Sequence, residues 1–283
     1  MFEFLCTDLK EGDADFSVLG SFADHLVPSP PKDSFSRYLF ISKSEVAREA
    51  ARAKGMGVLE WKGPLEAQQI EALLATCDPV LSNKHSLFLF DMGNVVVNNI
   101  SMLGKISRLL NIEKQAFIAD YLHYDFPLME GVVSEEQYWQ HITHVFGIPV
   151  RGNPFADVFK PVFNDPVVSL IRSLRSEGKR VVCASNTILS HWEILEEMGA
   201  LALFDKVYAS HEMGLSKPSL QFYTSILEKE GVSAEQALFI DDRKDNIQSS
   251  RSLGIASLLY ADLPSGTKDE RLSRVFRGYL PRP

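Results

Sequence analysis

Short all-apolar runs recur along the chain, each ending in a polar turn that leads into residues at helical spacing. The sharpest is Leu87-Phe88-Leu89-Phe90, with no polar alternation, followed at once by Asp91-Met92-Gly93-Asn94. Such a run predicts a strand buried on both faces, as in a parallel sheet. Val181-Val182-Cys183-Ala184 and Ala237-Leu238-Phe239-Ile240 repeat the pattern, and Phe204 to Ala209 and Ile255 to Tyr260 read as further strands. Helices are expected between them at 167–176, 191–198, 219–230 and 247–253, with Asp165-Pro166 starting the first and Gly178 and Gly231 ending two of them. Strands alternating with helices at this spacing predict an α/β fold with a doubly wound parallel sheet.

From 101 to 164 the rhythm changes. Met102, Ile106, Leu109 and Leu110 fall at helical spacing, Ser134 with Gln137 forms a capping box, and no strand signal is evident. This stretch reads as a helical insert between one strand and its next helix. The expected organisation is an N-terminal extension over 1–85, a core over 86–100 and 165–265, a helical cap over 101–164 and a basic tail over 266–283. The tail reads as a solvated helix face that could meet the acidic N-terminus.

The extension holds its own β-α-β pattern: a strand at Tyr38 to Ile41, a capping box at Ser42 and Glu45, a helix to Lys54, and a second strand at Met56 to Trp61. A further helix is expected from Pro64 to Cys77, and the prolines of 27–32 mark an arm or linker. Laying Leu39 on Leu238, an offset of 199, brings Arg52 onto Arg251 and Gly55 onto Gly254. The two stretches look like variants of one element, although any strand, capped helix and glycine would align as well. Ser42 and Lys43 stand where the later copy has Asp241 and Asp242, so whatever the acids do the early copy cannot. The extension therefore reads as structural material, with a homodimer or protein partner as its expected use.

Composition narrows the function classes. A net charge of −8 gives no basic face for a nucleic acid or an anionic membrane. Three scattered cysteines fit a reducing compartment better than a disulfide framework. The acidic start lacks the basic-then-apolar order of a signal peptide, and no run reaches membrane-spanning length, so a cytoplasmic protein is expected.

Parallel strands end on one side of their sheet, so Asp91, Ser185-Asn186 and Asp241-Asp242 can converge, with Lys217 on a loop between the last two. Clustered carboxylates need a cation, and a small carboxylate set with water suits Mg²⁺. A hydroxyl, backbone N–H groups and a lysine suit a phosphate. Metal and phosphate together leave one carboxylate as a nucleophile that would form an aspartyl-phosphate. Taken alone, Asp91 is equally readable as a turn residue.

Asp91 to Val95, Ser185-Asn186-Thr187, Lys217-Pro218 and Asp241-Asp242 with Asn246 resemble the four motifs of the haloacid dehalogenase superfamily. The wording Phe-Asp-Met-Gly-Asn-Val, Ser-Asn-Thr and Gly-Leu-Ser-Lys-Pro is most similar to its glucose-1-phosphate phosphatase branch. The resemblance covers roughly 86–262 and implies a Rossmann-like core with a mobile cap, acting as a Mg²⁺-dependent phosphatase on a small phosphorylated metabolite, a sugar phosphate first. It implies Asp91 as nucleophile and Lys217 as the cation that neutralises both phosphate and nucleophile. Ser185, with backbone groups at Asn186, would hold the phosphoryl oxygens. Asp91, the Gly93 carbonyl and Asp242, helped by Asp241, would bind the metal.

Gly93 departs from that pattern, since most phosphatases of the superfamily carry an acid/base Asp at this position. The metal contact uses a backbone carbonyl and survives, but the proton transfer, typically worth ~10²–10⁴ in rate, does not. A good leaving group, a stand-in group from the cap or Asn94, and a catalytically weak scaffold protein are the three explanations. Dehalogenation needs no Mg²⁺ and sits poorly with the Asp241-Asp242 pair. Trp139, Tyr121 and Phe146 read as cap core and Cys183 as a small buried hydrophobe. His123, His141 and His144 lack an evident third metal ligand.

Overall fold

The computed structural model describes residues 4–7, 38–53, 57–60, 78–79, 81–263 and 266–279. The arm expected at 27–32 and the helix expected at 64–77 lie outside them. The chain forms two compact units, Met1–Val80 with Ala261–Val275 and Leu81–Tyr260 with Phe276–Pro283.

In the first unit, β1 (Phe4–Thr7), β2 (Tyr38–Ser42) and β3 (Gly57–Glu60) form a parallel sheet in that order. Helix α1 (Glu45–Ala53) connects β2 to β3.

The second unit begins with β4 (Leu87–Phe90), whose four side chains are fully buried. A two-residue strand, β5 (Val97–Asn98), leads into the helical insert: α2 (Leu103–Leu109), α3 (Lys114–Met129), α4 (Glu135–Phe146) and α5 (Pro154–Val158). The chain returns through β6 (Val162–Phe163), which pairs antiparallel with β5. The α/β part then runs α6 (Asp165–Ser176), β7 (Arg180–Ser185), α7 (Leu189–Glu197), β8 (Lys206–Ala209), α8 (Ser210–Met213), α9 (Leu220–Glu230), β9 (Ala237–Asp241), α10 (Lys244–Ser252) and β10 (Ala256–Leu259). Its five strands are all parallel, in the order β10-β9-β4-β7-β8. With β4 central and the chain winding first to one side and then to the other, this is the doubly wound arrangement. Its crevice lies at the carboxyl ends of the strands.

The insert has its own core of Ile106, Phe117, Tyr121, Leu128, Tyr138, Trp139, Ile142 and Phe155, with Phe146 packed at its edge. The capping box expected at Ser134 and Gln137 is present. The β5–β6 ribbon is a correction to the strand-free reading of 101–164, and two residues are too few to show a period. Helix α6 also starts differently. Asn164, not Asp165, is its N-cap residue, and its side chain reaches the Val95 carbonyl (2.6 Å) and the Tyr260 hydroxyl (3.0 Å) instead of the helix.

The repeat of the extension extends beyond the alignment of apolar runs. Each of β2, α1 and β3 coincides end to end with β9, α10 and β10 at the same offset of 199. The pairing agrees too, with Leu39 opposite Gly57 and Leu238 opposite Ala256. Ser42 Oγ accepts the Ser44 N–H at 2.9 Å, as Asp241 Oδ1 accepts the Arg243 N–H at 2.8 Å. Even β1 stands to β2 as β4 stands to β9, with Phe4 opposite Tyr38 and Leu87 opposite Ala237. A chance strand-helix-glycine match would fix neither the register nor the third strand.

The C-terminal segment is not a wholly solvated face. Within the first unit, α11 (Lys268–Val275) carries Arg271 fully buried, with its Nη2 2.6 Å from Asp78 Oδ1. Guanidinium and carboxylate match as a planar pair, which lets a charge lie inside. Within the second unit, Phe276 is buried and its ring centroid lies 6.1 Å from that of Phe88.

Candidate active site

Register brings the site together. Phe90 of β4 lies opposite both Cys183 of β7 and Ile240 of β9, so Asp91 and Asp241 emerge at one level, with Ser185 one residue beyond, on one edge of the sheet. All three are buried. The Asp91 N–H donates to the Ile240 carbonyl at 2.9 Å, which continues the strand pairing through the acid itself.

Lys217 is the hub of the charges. Its Nζ donates to Asp91 Oδ1 at 2.6 Å and to Asp241 Oδ2 at 2.7 Å, with the side chain almost wholly enclosed. It also lies 5.3 Å from the centre of the Phe239 ring. Burial works against its charge, and the Asp241 and Asp91 carboxylates outweigh burial, so its pKa lies above the ordinary lysine value. Burial pushes Asp91 up to about 7, with Lys217 pulling it down and Asp241 and Asp242 adding to the rise. Burial also raises Asp242.

The acid pair divides its work. Asp241 accepts from Lys217, from the Asn246 amide at 3.0 Å on each oxygen, and from the Arg243 N–H. Asp242 is more open and accepts from Asn94 Nδ2 at 2.9 Å. Asn94 itself takes a left-handed backbone, with φ 55°. Oxygens of Asp91, Asp241 and Asp242 all lie within 4.8 Å of one another, and among the described residues this is the cluster with the composition of a metal site. Three carboxylates against one ammonium leave two negative charges uncompensated, which fits one divalent cation with oxygen preference. Asp91 and Asp242, each accepting one side-chain hydrogen bond, are the carboxylates with capacity left.

Asn186, expected to serve through its backbone, has its side chain engaged elsewhere. Its side-chain amide donates to the Lys217 carbonyl and accepts the Lys217 N–H, both at 2.8 Å. It therefore clamps the backbone that carries the lysine. Ser185 Oγ has only a long contact of 3.4 Å, to the Asn186 carbonyl, so its hydroxyl can turn to another acceptor.

The helical insert reaches the same rim with two glutamates that the sequence did not single out. Glu135 accepts from the Ser190 N–H (2.8 Å) and hydroxyl (2.6 Å), and Glu130 accepts from the Ser216 hydroxyl at 2.6 Å, one residue from Lys217. Between them Gly131 sits with φ +68°, where a Cβ would lie 2.8 Å from the His211 carbonyl oxygen. Elsewhere in the insert, His141 Nε2 lies 2.7 Å from Asp120 and its Nδ1 3.3 Å from the Tyr124 hydroxyl, while His123 and His144 are exposed. Cys183 is fully buried, and burial raises its thiol pKa, so it is no nucleophile.

Gly93 has a packing reason. A Cβ there would come within 2.6 Å of Ile100 Cδ1, so any side chain must move that methyl. Gly93→Ala is expected to lose no more than ~1 kcal/mol of stability, the low end for overpacking, because the methyl is the far end of a half-buried side chain that can turn aside, and Ile100→Ala in the same chain to recover part of it. Denaturant melts of the two variants give the comparison. A Gly93→Ala chain as stable as wild type would show that Ile100 yields freely.

A family model for haloacid dehalogenase-like hydrolases matches residues 85–254, more than half of the chain. The chain belongs to this family. A sesquiterpene phosphatase of Aspergillus oryzae is 25% identical to this hydrolase over 186 residues, 62% of the chain and 89% of that protein. A glyceraldehyde 3-phosphate phosphatase of Methanocaldococcus jannaschii is 30% identical over 93 residues, 32% of the chain and 41% of that protein. The fold of the hydrolase is shared with a HAD family enzyme of Bacteroides thetaiotaomicron in complex with magnesium and inorganic phosphate. The TM-score is 0.52 at 21% identity, over 61% of this chain and 92% of that one. No helix among the described residues is long and apolar enough to cross a membrane.

Proposed function

We propose that this hydrolase is a Mg²⁺-dependent phosphatase that cleaves a small phosphomonoester through an aspartyl-phosphate on Asp91. One observation carries the reading: a buried carboxylate at the end of the central strand, bonded to a buried lysine and within a few ångströms of two further carboxylates. The phosphatase names of the relatives support it.

The residues take the following parts. Asp91, Asp242 and the Gly93 carbonyl hold the metal, which when bound offsets the negative charge of the phosphoryl group and of the carboxylates. Asp91 Oδ attacks phosphorus, the P–O bond to the leaving alkoxide breaks, and the phosphoryl group is carried on the carboxylate. Lys217 stabilises the charge that builds on the transferring oxygens. The Ser185 hydroxyl and the N–H of Asn186 orient the phosphoryl oxygens, while the Asn186 side chain keeps Lys217 in place. Asp241 holds Lys217 and Asn246 and shapes the metal site from behind. Water then attacks phosphorus, and Asp91 is released with phosphate.

In the rival reading, a scaffold protein that lost its chemistry with the acid at 93, the Lys217 ion pairs would serve stability alone and leave Asp242 beside Asp91 without a purpose. Their convergence favours the enzyme. Residues 1–80 are assigned to structure or association, a reading supported by Ser42 and Lys43 standing where the catalytic unit has its two acids.

Hydrolysis of p-nitrophenyl phosphate that needs Mg²⁺ is the direct test, and inertness across a panel of phosphomonoesters with the metal present would sink the reading. Stability gives a second one. Asp91 has its pKa raised to about 7, so the cost of its charge grows as the pH climbs from the ordinary carboxylate range to that value and is fully present above it. Protons and metal compete for the carboxylates. Mg²⁺ should therefore raise Tm more at about pH 8 than at about pH 5.5. Equal shifts at the two values would argue against metal binding at these acids.

A further inference from the structure

Beside the charged cluster lies a cavity of about 120 Å³, lined at one end by Gly93, Ser185 and Asn186. The rest of its lining is mostly apolar, with Ile100, Met102, Met129, Phe159, Ile188 and Leu195, and its two hydroxyls, on Tyr121 and Thr187, are engaged by Asp125 and the Ile188 carbonyl. A dry pocket of roughly 150 Å³ lined by aliphatic and aromatic side chains takes up benzene-sized apolar molecules. Methionines add adaptable packing without fixed polarity. A sugar would bring several hydroxyls against this wall, and each hydroxyl left without a partner costs ~1–3 kcal/mol.

One polar atom in the wall is unengaged. His191 Nε2 is buried without a partner, in a residue only 8% exposed. The ring is stacked on Phe159 with centroids 3.9 Å apart and hydrogen-bonds to the Phe155 backbone. Burial lowers its pKa to about 4, against the opposing pull of Glu135 and that hydrogen bond, so the imidazole is neutral near pH 7. With Nδ1–H engaged by a carbonyl, Nε2 is an acceptor. It can serve one hydroxyl, not a ring of them.

We infer that the substrate is the phosphomonoester of an apolar alcohol, with its phosphate on the Ser185–Asn186 end and its hydrocarbon body against the Met129–Phe159–Ile188 wall. This deepens the phosphatase reading and rests on it, and it departs from the sugar phosphate that the motif wording implies. The leaving group is then an ordinary alkoxide rather than an anomeric oxygen, and it takes its proton from solvent water.

The test compares 3-methylbutyl phosphate with glucose 1-phosphate under Mg²⁺, with p-nitrophenyl phosphate as the measure of phosphatase chemistry. The alkyl ester should have kcat/KM ~10-fold or more above the sugar ester, the usual worth of a few methylenes in an apolar pocket. Met129→Gln, close in shape but polar, should narrow that ratio, mainly through KM of the alkyl ester. Hydrolysis of p-nitrophenyl phosphate with glucose 1-phosphate equal or preferred would overturn this inference and leave the phosphatase standing. An unchanged ratio in Met129→Gln would overturn the placement of the body. Failure on all three esters would remove the phosphatase reading, and this inference with it.

Discussion

Asp91→Asn should stop turnover of p-nitrophenyl phosphate while leaving a folded and slightly more stable protein. The amide is almost the same shape, and its oxygen still accepts from Lys217, which now lies 2.6 Å from the carboxylate. It cannot become the covalent carrier, so a loss of ~10⁴-fold or more is expected, the scale seen when a nucleophile is removed. The stability change has a definite sign. A carboxylate whose pKa is raised to about 7 destabilises the fold increasingly as pH rises from the ordinary value through about 7. Taking its charge away should thus raise Tm of the metal-free protein at about pH 8 and change it little at about pH 4. A variant that is both inactive and melted would say nothing of chemistry, and one that retains turnover would remove Asp91 from its role.

Lys217→Met should be inactive for a different reason, and unstable as well. The lysine is buried between two carboxylates, and removing one partner of a buried ion pair costs ~3–5 kcal/mol because the other is left uncompensated. Without the ammonium, Asp91 moves further up in pKa and is protonated at neutral pH, where it cannot attack. The Tm deficit should shrink as pH falls and the stranded carboxylates take up protons, and widen above neutrality. Melts of the variant across pH, beside a turnover assay, give both readings. A deficit independent of pH would mean that lost packing, not lost charge, is what the fold feels.

Much of this arrangement is written locally. Four apolar residues and then an acid, at 87–91 and again at 237–241, disclose both a buried strand and what it delivers, because strand burial and the turn after it depend on near neighbours in the chain. The convergence of Asp91, Lys217, Asp241 and Asp242 follows once the strands are parallel. What escapes are side chains whose partners lie far along the chain. The Asn186 amide clamps a backbone 31 residues away, and Glu130 and Glu135 meet serines 86 and 55 residues on. Nothing beside these residues marks them as anything but polar surface. Arg271 is a similar case, since its partner Asp78 lies 193 residues off and a basic helix normally belongs in water. His191 carries no motif at all, and only its cavity makes it of interest.

The β5–β6 ribbon has a bearing on how such a protein can change its diet. Val97-Asn98 and Val162-Phe163 are the outgoing and incoming roots of the helical insert, and they lie side by side. A segment that departs and returns through adjacent residues can be exchanged whole for a longer or shorter one while the sheet stays in register. Most of the cavity's apolar lining is thus carried on a replaceable module, and the charged centre on a fixed chassis. A lineage with this layout can reshape the cavity by rewriting some sixty residues without touching Asp91, Lys217, Asp241 or Asp242.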